Sequence, residues 1–123
     1  MIAVDTSTWI AFLQGDQGKD VQLLDRALED RQVLMIPVVL TELLSDPKLP
    51  REAAQALTQL PLIEIEPGYW ERAAALRAGV LSKRKARLDD TFIAQTCLDR
   101  GIALLTRDRD FRTFAEAAGL DLT

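Results

Sequence analysis

The chain has no histidine and one cysteine among its 123 residues. Without histidine it cannot build a Ser-His-Asp triad, a Cys-His pair or a histidine-ligated metal site. The lone cysteine, Cys97, excludes zinc ribbons and an internal disulfide, which fits a protein kept in a reducing cytoplasm. The chemistry that remains for an enzyme of this composition is that of carboxylates, hydroxyl groups and a hard cation.

Long apolar runs and phosphate-binding loops are also missing. No run approaches the roughly 20 apolar residues needed to cross a bilayer. The four residues before Asp5 are too few for the apolar region of a secretory signal, and no G-x-x-x-x-G-K-[ST] motif occurs. We therefore expect a cytoplasmic protein with no membrane partner.

The net charge of −4 argues against a general nucleic-acid binder. One local basic strip nevertheless occurs at "SKRKAR", with Lys83, Arg84, Lys85 and Arg87. Such a strip suits the backbone of a nucleic acid. It equally suits a solvated helix end and loop, and the sequence leaves both alternatives open.

Short apolar segments alternate with amphipathic ones along the chain. The patterns predict a strand at 2–4, a β-rich run at 33–39, strands at 62–66 and 102–106, and a short final strand at 120–122. Helices are predicted from residue 7 onward and at 19–30, 40–46, 50–60, 67–84, 88–100 and 109–119. This order predicts an α/β fold, in which helices cover both faces of a mostly parallel sheet. The length suits one domain spanning residues 1–123.

Four acidic residues that are distant in the chain fall near one edge of the predicted sheet. Asp5 follows the first strand, Asp108 follows the strand at 102–106, Glu42 comes early in the helix after the 33–39 run, and Asp90 opens the helix at 88–100. Functional sites in open parallel sheets gather beyond the carboxyl ends of the strands. A divalent cation would relieve the repulsion among these carboxylates and acidify a bound water, which allows hydrolysis without histidine.

Most of these acidic residues also have a purely structural explanation. Asp5, with Thr6 and Ser7 after it, suits a helix N-cap, and so does Asp108. Glu42 in a first helical turn would be favoured by the helix dipole. Asp89 fits an N-cap or a first-turn charge.

Asp90 is harder to explain as a cap. At 100° per residue it projects near the middle of an apolar helix stripe. Since a buried charge is costly unless it is paired or bound to a metal, we predict that Asp90 is functional and Asp89 is the cap. The stripe consists of Phe92, Ile93, Ala94, Cys97 and Leu98.

Four segments in order, a strand followed by "DTS", then "LTELL", "LDDTFIAQTC" and "LLTRDRDF", resemble the PIN-domain ribonucleases. More narrowly, they are similar to the VapC-type toxins of toxin–antitoxin pairs. The resemblance implies a flavodoxin-like three-layer sandwich and Mg²⁺- or Mn²⁺-dependent cleavage of single-stranded RNA. It also implies a homodimer that is inhibited by a cognate antitoxin protein.

Residue by residue, the resemblance implies that Asp5, Glu42, Asp90 and Asp108 are catalytic. Asp5, Asp90 and Asp108 would hold the metal ion, while Glu42 would complete the cluster and orient the attacking water. It also implies that Ser7 supports Asp5, and that Asp110 stands behind the metal ligands.

Two other functions remain open at this point. An aspartyl phosphatase would use Asp5 as its nucleophile, although the D-x-D motif of such enzymes is broken here by Ser7. A non-enzymatic interaction module would use the same carboxylates to bind Mg²⁺ and a protein partner.

Overall fold

A computed structural model describes all 123 residues of the chain as three short strands and seven α-helices. The strands are β1 (Ile2–Val4), β2 (Val33–Leu34) and β3 (Ala103–Leu105). A 3₁₀ turn at Arg109–Phe111 precedes the last helix. None of the helices combines the length and the apolar character that crossing a bilayer requires. The helices are α1 (Thr6–Leu13), α2 (Lys19–Glu29), α3 (Pro37–Leu44), α4 (Arg51–Thr58), α5 (Tyr69–Leu81), α6 (Leu88–Arg100) and α7 (Arg112–Ala118).

The sheet is parallel, with β1 in the centre between β2 and β3. Ala3 and Val4 on β1 are fully buried, as expected for a central strand that is covered on both faces. Helices flank the sheet, with α2 against β2 and α6 against β3. The predicted α/β fold with helices around a short parallel sheet is therefore confirmed.

The hydrophobic core draws large side chains from nearly every element. Helices α1, α2 and α6 contribute buried residues that pack with those of the strands and of the chain before α3. This continuous core holds the helix ends and the strand ends in fixed positions. Its largest fully buried side chains include Trp9, Phe111, Phe114, Leu24, Met35, Ile36, Ile93 and Leu104.

The apolar run at 33–39 is only partly a strand. β2 ends at Leu34, and Pro37 begins α3. Proline is well suited to a first helical position because the N–H that it lacks would have no partner within the helix. The apolar run continues past the strand because α3 buries Val39 against the core.

The predicted strands at 62–66 and 120–122 are each reduced to a single bridge. Leu62 pairs with Met35, and Leu122 pairs with Leu104. The amide of Ile63 still donates to the carbonyl of Met35, but the chain then turns away towards α5. The alternating pattern at 62–66 therefore marks one point of contact with the sheet and not a strand.

Candidate metal centre

The centre forms beyond the carboxyl ends of β1 and β3. Asp5 directly follows β1, and Asp108 follows β3 by three residues. These two strands are neighbours in the sheet, and the chain order reverses between β2 and β3 on either side of β1. In open α/β sheets this switch point forms the crevice where ligands bind. The first turn of α6 brings Asp90 to the same crevice, where its pKa responds to both Asp5 and Asp108.

Asp5 both caps a helix and belongs to the centre. Its Oδ2 atom accepts hydrogen bonds from the Ser7 amide at 3.3 Å, the Ser7 hydroxyl at 2.6 Å and the Thr106 hydroxyl at 2.9 Å. The side chain is only 4% exposed. The capping role foreseen as an alternative is therefore real, and all of these hydrogen bonds go to Oδ2. Ser7 supports Asp5, as the resemblance implied.

Asp90 is buried at the start of α6, which confirms the position that the helix projection predicted. Its side chain is 8% exposed. Burial raises the pKa of Asp90 to about 7, and the negative charges of Asp89, Asp5 and Asp108 add to the effect. A carboxyl group whose pKa is raised by burial and by neighbouring carboxylates is one that a cation would stabilise in its ionised form.

Glu42 lies in the second half of α3, so the predicted first-turn position was wrong. α3 begins at Pro37, which makes Glu42 its sixth residue of eight, and the helix dipole gives no reason for a carboxylate there. Its Oε1 accepts a hydrogen bond of 2.8 Å from the Thr6 hydroxyl. Burial raises the pKa of Glu42, as do the carboxylates of Asp89 and Asp5, while the Thr6 bond lowers it. Glu42 therefore lies close enough to Asp89 and Asp5 for their negative charges to affect its ionisation.

Three carboxylates of the centre converge closely. Each of Asp90, Asp108 and Asp110 offers one oxygen, and these oxygens all lie within 4.8 Å of one another. The Asp108 Oδ1 atom accepts a hydrogen bond of 2.9 Å from the Asp110 amide, so Asp108 also caps the 3₁₀ turn. The predicted metal set of Asp5, Asp90 and Asp108 thus differs from the set whose oxygens come closest. The close set includes Asp110 and does not include Asp5, whose charge nevertheless raises the pKa of Asp90.

Asp89 is a first-turn residue of α6 with a second role. It forms an ion pair of 3.2 Å with Arg87, and its oxygen accepts from the Asp90 amide at 3.0 Å. It also raises the pKa values of both Asp90 and Glu42. The N-cap of α6 is Arg87, so the prediction that Asp89 is the cap was wrong, whereas the alternative of a first-turn charge holds. That charge also acts on Asp90 and Glu42 at the edge of the centre.

The donor set fits a hard divalent cation. Carboxylate oxygens are the ligands that Mg²⁺, Mn²⁺ and Ca²⁺ prefer, whereas histidine and cysteine ligands for softer metals are missing from the centre. One member is buried with its pKa raised to about 7, and three oxygens converge within 4.8 Å. Asp90, Asp108 and Asp110, with Asp5 beside them, are the residues that could hold such an ion.

Two openings in the surface lie close to these elements. A groove of about 450 Å³ beside Glu42 runs between α1 and the end of α3, with Ile10 and Leu13 on its wall. A cleft of about 580 Å³ lies between α5 and α7 and carries Lys83 and Arg84. Of these two openings, the groove has Glu42 in its wall, and the cleft contains none of the predicted site residues.

The residues of the basic strip lie in two different places, at the cleft between α5 and α7 and at the start of α6. Arg84 pairs with Glu116 on α7 at 3.3 Å, at the cleft between α5 and α7. Arg87 instead pairs with Asp89, and its positive charge lowers the pKa of Asp90. Arg87 is therefore the member of the strip whose field reaches the centre.

The sequence matches the model of the PIN domain over residues 2–117. The chain belongs to the PIN-domain family. The resemblance drawn from its four motifs is confirmed at the level of the family, and the fold class is confirmed with it.

Solved structures share this PIN fold over nearly the whole chain. VapBC2 from Rickettsia felis, bound to a DNA fragment from their promoter, matches with a TM-score of 0.76 at 17% identity, covering 100% of this chain and 98% of that one. VapBC-5 from Mycobacterium tuberculosis, of the VapBC family of toxin–antitoxin systems, matches with a TM-score of 0.70 at 22% identity and coverage of 98% and 95%. A toxin–antitoxin complex from Klebsiella pneumoniae gives 0.70 at 23%, with coverage of 98% and 95%.

Sequence reasoning missed several residues of this PIN domain's centre. Thr106 and Thr6 support Asp5 and Glu42 through hydroxyl groups, but threonine carries no local pattern that marks such a role. Asp110 was placed behind the ligands although its oxygen lies with theirs. The spacing D-x-D in "TRDRDF" was the one signal for it, since a tight turn brings residues two apart to the same side.

Proposed function

We propose that this PIN domain is an endoribonuclease that requires Mg²⁺ or Mn²⁺, cleaves single-stranded RNA and acts as the toxin of a toxin–antitoxin pair. The whole chain, residues 1–123, would form one catalytic domain that works in the cytoplasm. The observation that carries the proposal is the meeting of carboxylate oxygens from α6 and from the segment after β3, within 4.8 Å, at the switch point of the sheet. Family membership supports it.

In this proposal Asp5, Asp90 and Asp108 bind the cation, with Asp110 beside them. When bound, a divalent cation offsets the charge of the carboxylates and acidifies a coordinated water. The three hydrogen bonds to Oδ2 of Asp5 keep that carboxylate in one orientation. The site would therefore be organised before RNA arrives, which is how a protein lowers the cost of reorganisation during reaction.

Glu42 is the proposed group that orients the attacking water and takes its proton. Burial and neighbouring carboxylates raise the pKa of Glu42, which moves it towards the range where a general base works best. The hydrogen bond from Thr6 to Oε1 fixes the direction of the side chain. Glu42 also lines the groove of about 450 Å³, and we propose that single-stranded RNA approaches Glu42 along it.

Arg87 is the proposed contact to the RNA backbone. Its side chain is 74% exposed, and its partner Asp89 directly precedes Asp90 in the first turn of α6. A phosphate brought to the centre would lie near this guanidinium, whose planar fork matches phosphate oxygens. Lys83 and Arg84 of the basic strip line the cleft between α5 and α7, so we assign them no direct role in cleavage.

A cognate antitoxin and a second copy of the chain are the proposed protein partners. Support for the antitoxin comes from the fold, since the similar structures include VapBC complexes and a toxin–antitoxin complex. The homodimer follows from the resemblance to VapC-type toxins. Light scattering on the purified chain measures the oligomeric state directly, and a mass of one copy would contradict the homodimer.

A cleavage assay on labelled single-stranded RNA tests the proposal. We expect cutting in Mg²⁺ or Mn²⁺ that excess chelator stops, and loss of cutting in Asp5→Asn and Asp90→Asn. Asp25→Asn removes a carboxylate on the outer surface of α2 and should cut as the parent does. Cation binding without any cutting would favour the non-enzymatic module. A phosphoryl group trapped on Asp5 would favour the phosphatase.

A further inference from the structure

Arg107 lies between two residues of the centre but faces away from it. Thr106 donates to Asp5 at 2.9 Å, and Asp108 contributes an oxygen to the acidic group. The backbone is still extended at Asp108, with φ −88° and ψ 117°. Side chains alternate along an extended chain, so Arg107 points to the opposite side from Thr106 and Asp108.

On that side Arg107 forms a bidentate ion pair with Asp20 near the start of α2. The Nε–Oδ2 distance is 2.8 Å and the Nη2–Oδ1 distance is 2.9 Å. Nη2 also donates to the carbonyl of Gln17 at 3.3 Å. This geometry fixes both the direction and the distance between the segment after β3 and the start of α2.

Two further residues, Thr8 and Gly18, lie against the Arg107–Asp20 pair. The buried Thr8 hydroxyl donates to Oδ2 of Asp20 at 2.9 Å, which ties the pair to α1. Gly18 has a φ of +152°, and a Cβ there would lie 2.6 Å from Asp20 Oδ1 and 3.0 Å from Arg107 Nη2. A side chain at position 18 would therefore push against both partners. Arg107 also lowers the pKa of Asp20 to about 2, so the pair stays ionised at neutral pH.

We propose that Arg107 is a positioning residue, which holds Thr106 and Asp108 in place for the cation by anchoring the segment after β3 to Asp20. This inference rests on the proposed function in one respect, because it takes Asp108 as a ligand. Its geometric part concerns the protein without the metal. The pair also keeps the Arg107 guanidinium away from the acidic group. Inside that group it would compete with a metal ion for the carboxylates.

The Arg72–Asp99 pair provides a matched control. It is also bidentate, with an Nε–Oδ1 distance of 2.9 Å and an Nη2–Oδ2 distance of 2.6 Å, but it joins α5 to the end of α6. Arg72→Gln therefore removes an equivalent ion pair that does not touch the segment after β3. Arg107→Gln, Arg107→Lys and Asp20→Asn alter the pair under test.

The first readout is amide hydrogen exchange in the metal-free protein. We expect the Asp108 and Asp110 amides to exchange about tenfold faster in Arg107→Gln, because local opening of this segment becomes easier. Arg72→Gln should leave both amides at the parent rate. Unchanged exchange in both Arg107→Gln and Asp20→Asn would overturn the proposal, and the two variants together cover the case in which one of them fails to fold.

The second readout is the affinity for Mn²⁺. We expect Arg107→Gln to weaken binding about tenfold, as loss of a supporting contact behind metal ligands commonly does. Arg107→Lys should recover part of the loss, and Arg72→Gln should bind as the parent does. If the parent binds no Mn²⁺, the proposed function fails and the exchange experiment alone decides the positioning role. If the parent binds and Arg107→Gln binds equally well, the positioning role fails.

Discussion

The Thr106 hydroxyl lies 2.9 Å from Oδ2 of Asp5, although 101 positions of the chain separate the two residues. The same hydroxyl oxygen accepts a hydrogen bond of 3.0 Å from the Asp108 amide. Thr106 thus connects the carboxylate after β1 to the backbone of the carboxylate after β3. One hydroxyl group joins both sides of the crevice, and this contact defines how the centre is assembled.

Thr106→Val tests this contact with a side chain of nearly the same shape. The Asp108 amide loses its acceptor and Asp5 loses one donor, so we expect the free energy of unfolding to fall by about 1–2 kcal/mol. Mn²⁺ affinity should fall as well, by about tenfold. Urea unfolding and calorimetric titration measure the two effects.

Thr96→Val is the control for Thr106→Val. Thr96 is a buried threonine on α6 whose hydroxyl donates to the carbonyl of Phe92 at 2.7 Å, outside the centre. It should lose stability without losing Mn²⁺ affinity. Equal affinity in parent and Thr106→Val would show that the contact is structural only.

Mn²⁺ binding should depend on pH through Asp90. The pKa of Asp90 is raised to about 7, so this carboxyl is protonated below that pH and must release its proton to bind a cation. We expect affinity to fall roughly tenfold for each pH unit below 7, since one proton leaves for each ion bound, and to level off above 7. Titrations at pH 5.5, 6.5 and 7.5 measure this slope. A flat profile in the parent would contradict the role of Asp90.

Asp90→Asn should stabilise the metal-free protein at high pH. A carboxyl group whose folded pKa exceeds its ordinary value of 3.8 binds a proton more tightly in the folded state, so stability falls as pH rises from about 4 to about 7. Asparagine removes that loss. Since one pKa unit corresponds to about 1.4 kcal/mol, the gain at pH 8 is at most about 4 kcal/mol.

The control for Asp90→Asn is the same comparison of stability with the parent at low pH. Well below pH 4 the carboxyl group is protonated in both states, and parent and variant should then unfold at similar urea concentrations. Measurements with chelator present remove any contribution from bound metal. A variant less stable than the parent at pH 8 would mean that Asp90 makes a favourable contact absent from this account.

Arg87→Gln should weaken RNA binding more than it slows the chemical step. Its guanidinium is exposed beside Asp89, and each cation that contacts a phosphate adds salt-dependent affinity. We expect KM to rise about fivefold with a smaller change in kcat, and the salt dependence of KM to weaken. Arg26→Gln, on the exposed surface of α2, should leave both constants unchanged. A fall in kcat with constant KM would contradict the assignment.

Much of this fold follows from the sequence because its signals are local. Helix periodicity placed Asp90 in an apolar stripe, and its burial confirms that placement. The predicted position of Glu42 in its helix was wrong because the apolar run at 33–39 has a similar apolar composition in its strand part and in its helix part. Only the proline at 37 separates them, and proline is tolerated in both settings.

The supporting contacts of the centre were out of reach of sequence patterns. Thr106 touches Asp5 and Arg107 touches Asp20 across 101 and 87 positions. Such pairs depend on how the strands and helices are arranged in space, and neither threonine nor arginine at these positions breaks a local rule. Asp90 could be singled out because a charge in an apolar stripe conflicts with its surroundings, whereas Asp5 and Asp108 were selected by their places after strands and by the resemblance to a family.

Calorimetric titration of Mn²⁺ into the parent, Asp90→Asn and Asp25→Asn at pH 7.5 determines whether these carboxylates bind a cation together. We expect the parent and Asp25→Asn to bind with equal affinity, and Asp90→Asn to bind at least tenfold more weakly, because it has lost one carboxylate ligand. A parent that binds no Mn²⁺, or an Asp90→Asn variant that binds as tightly as the parent, would contradict the claim that these distant carboxylates share one cation.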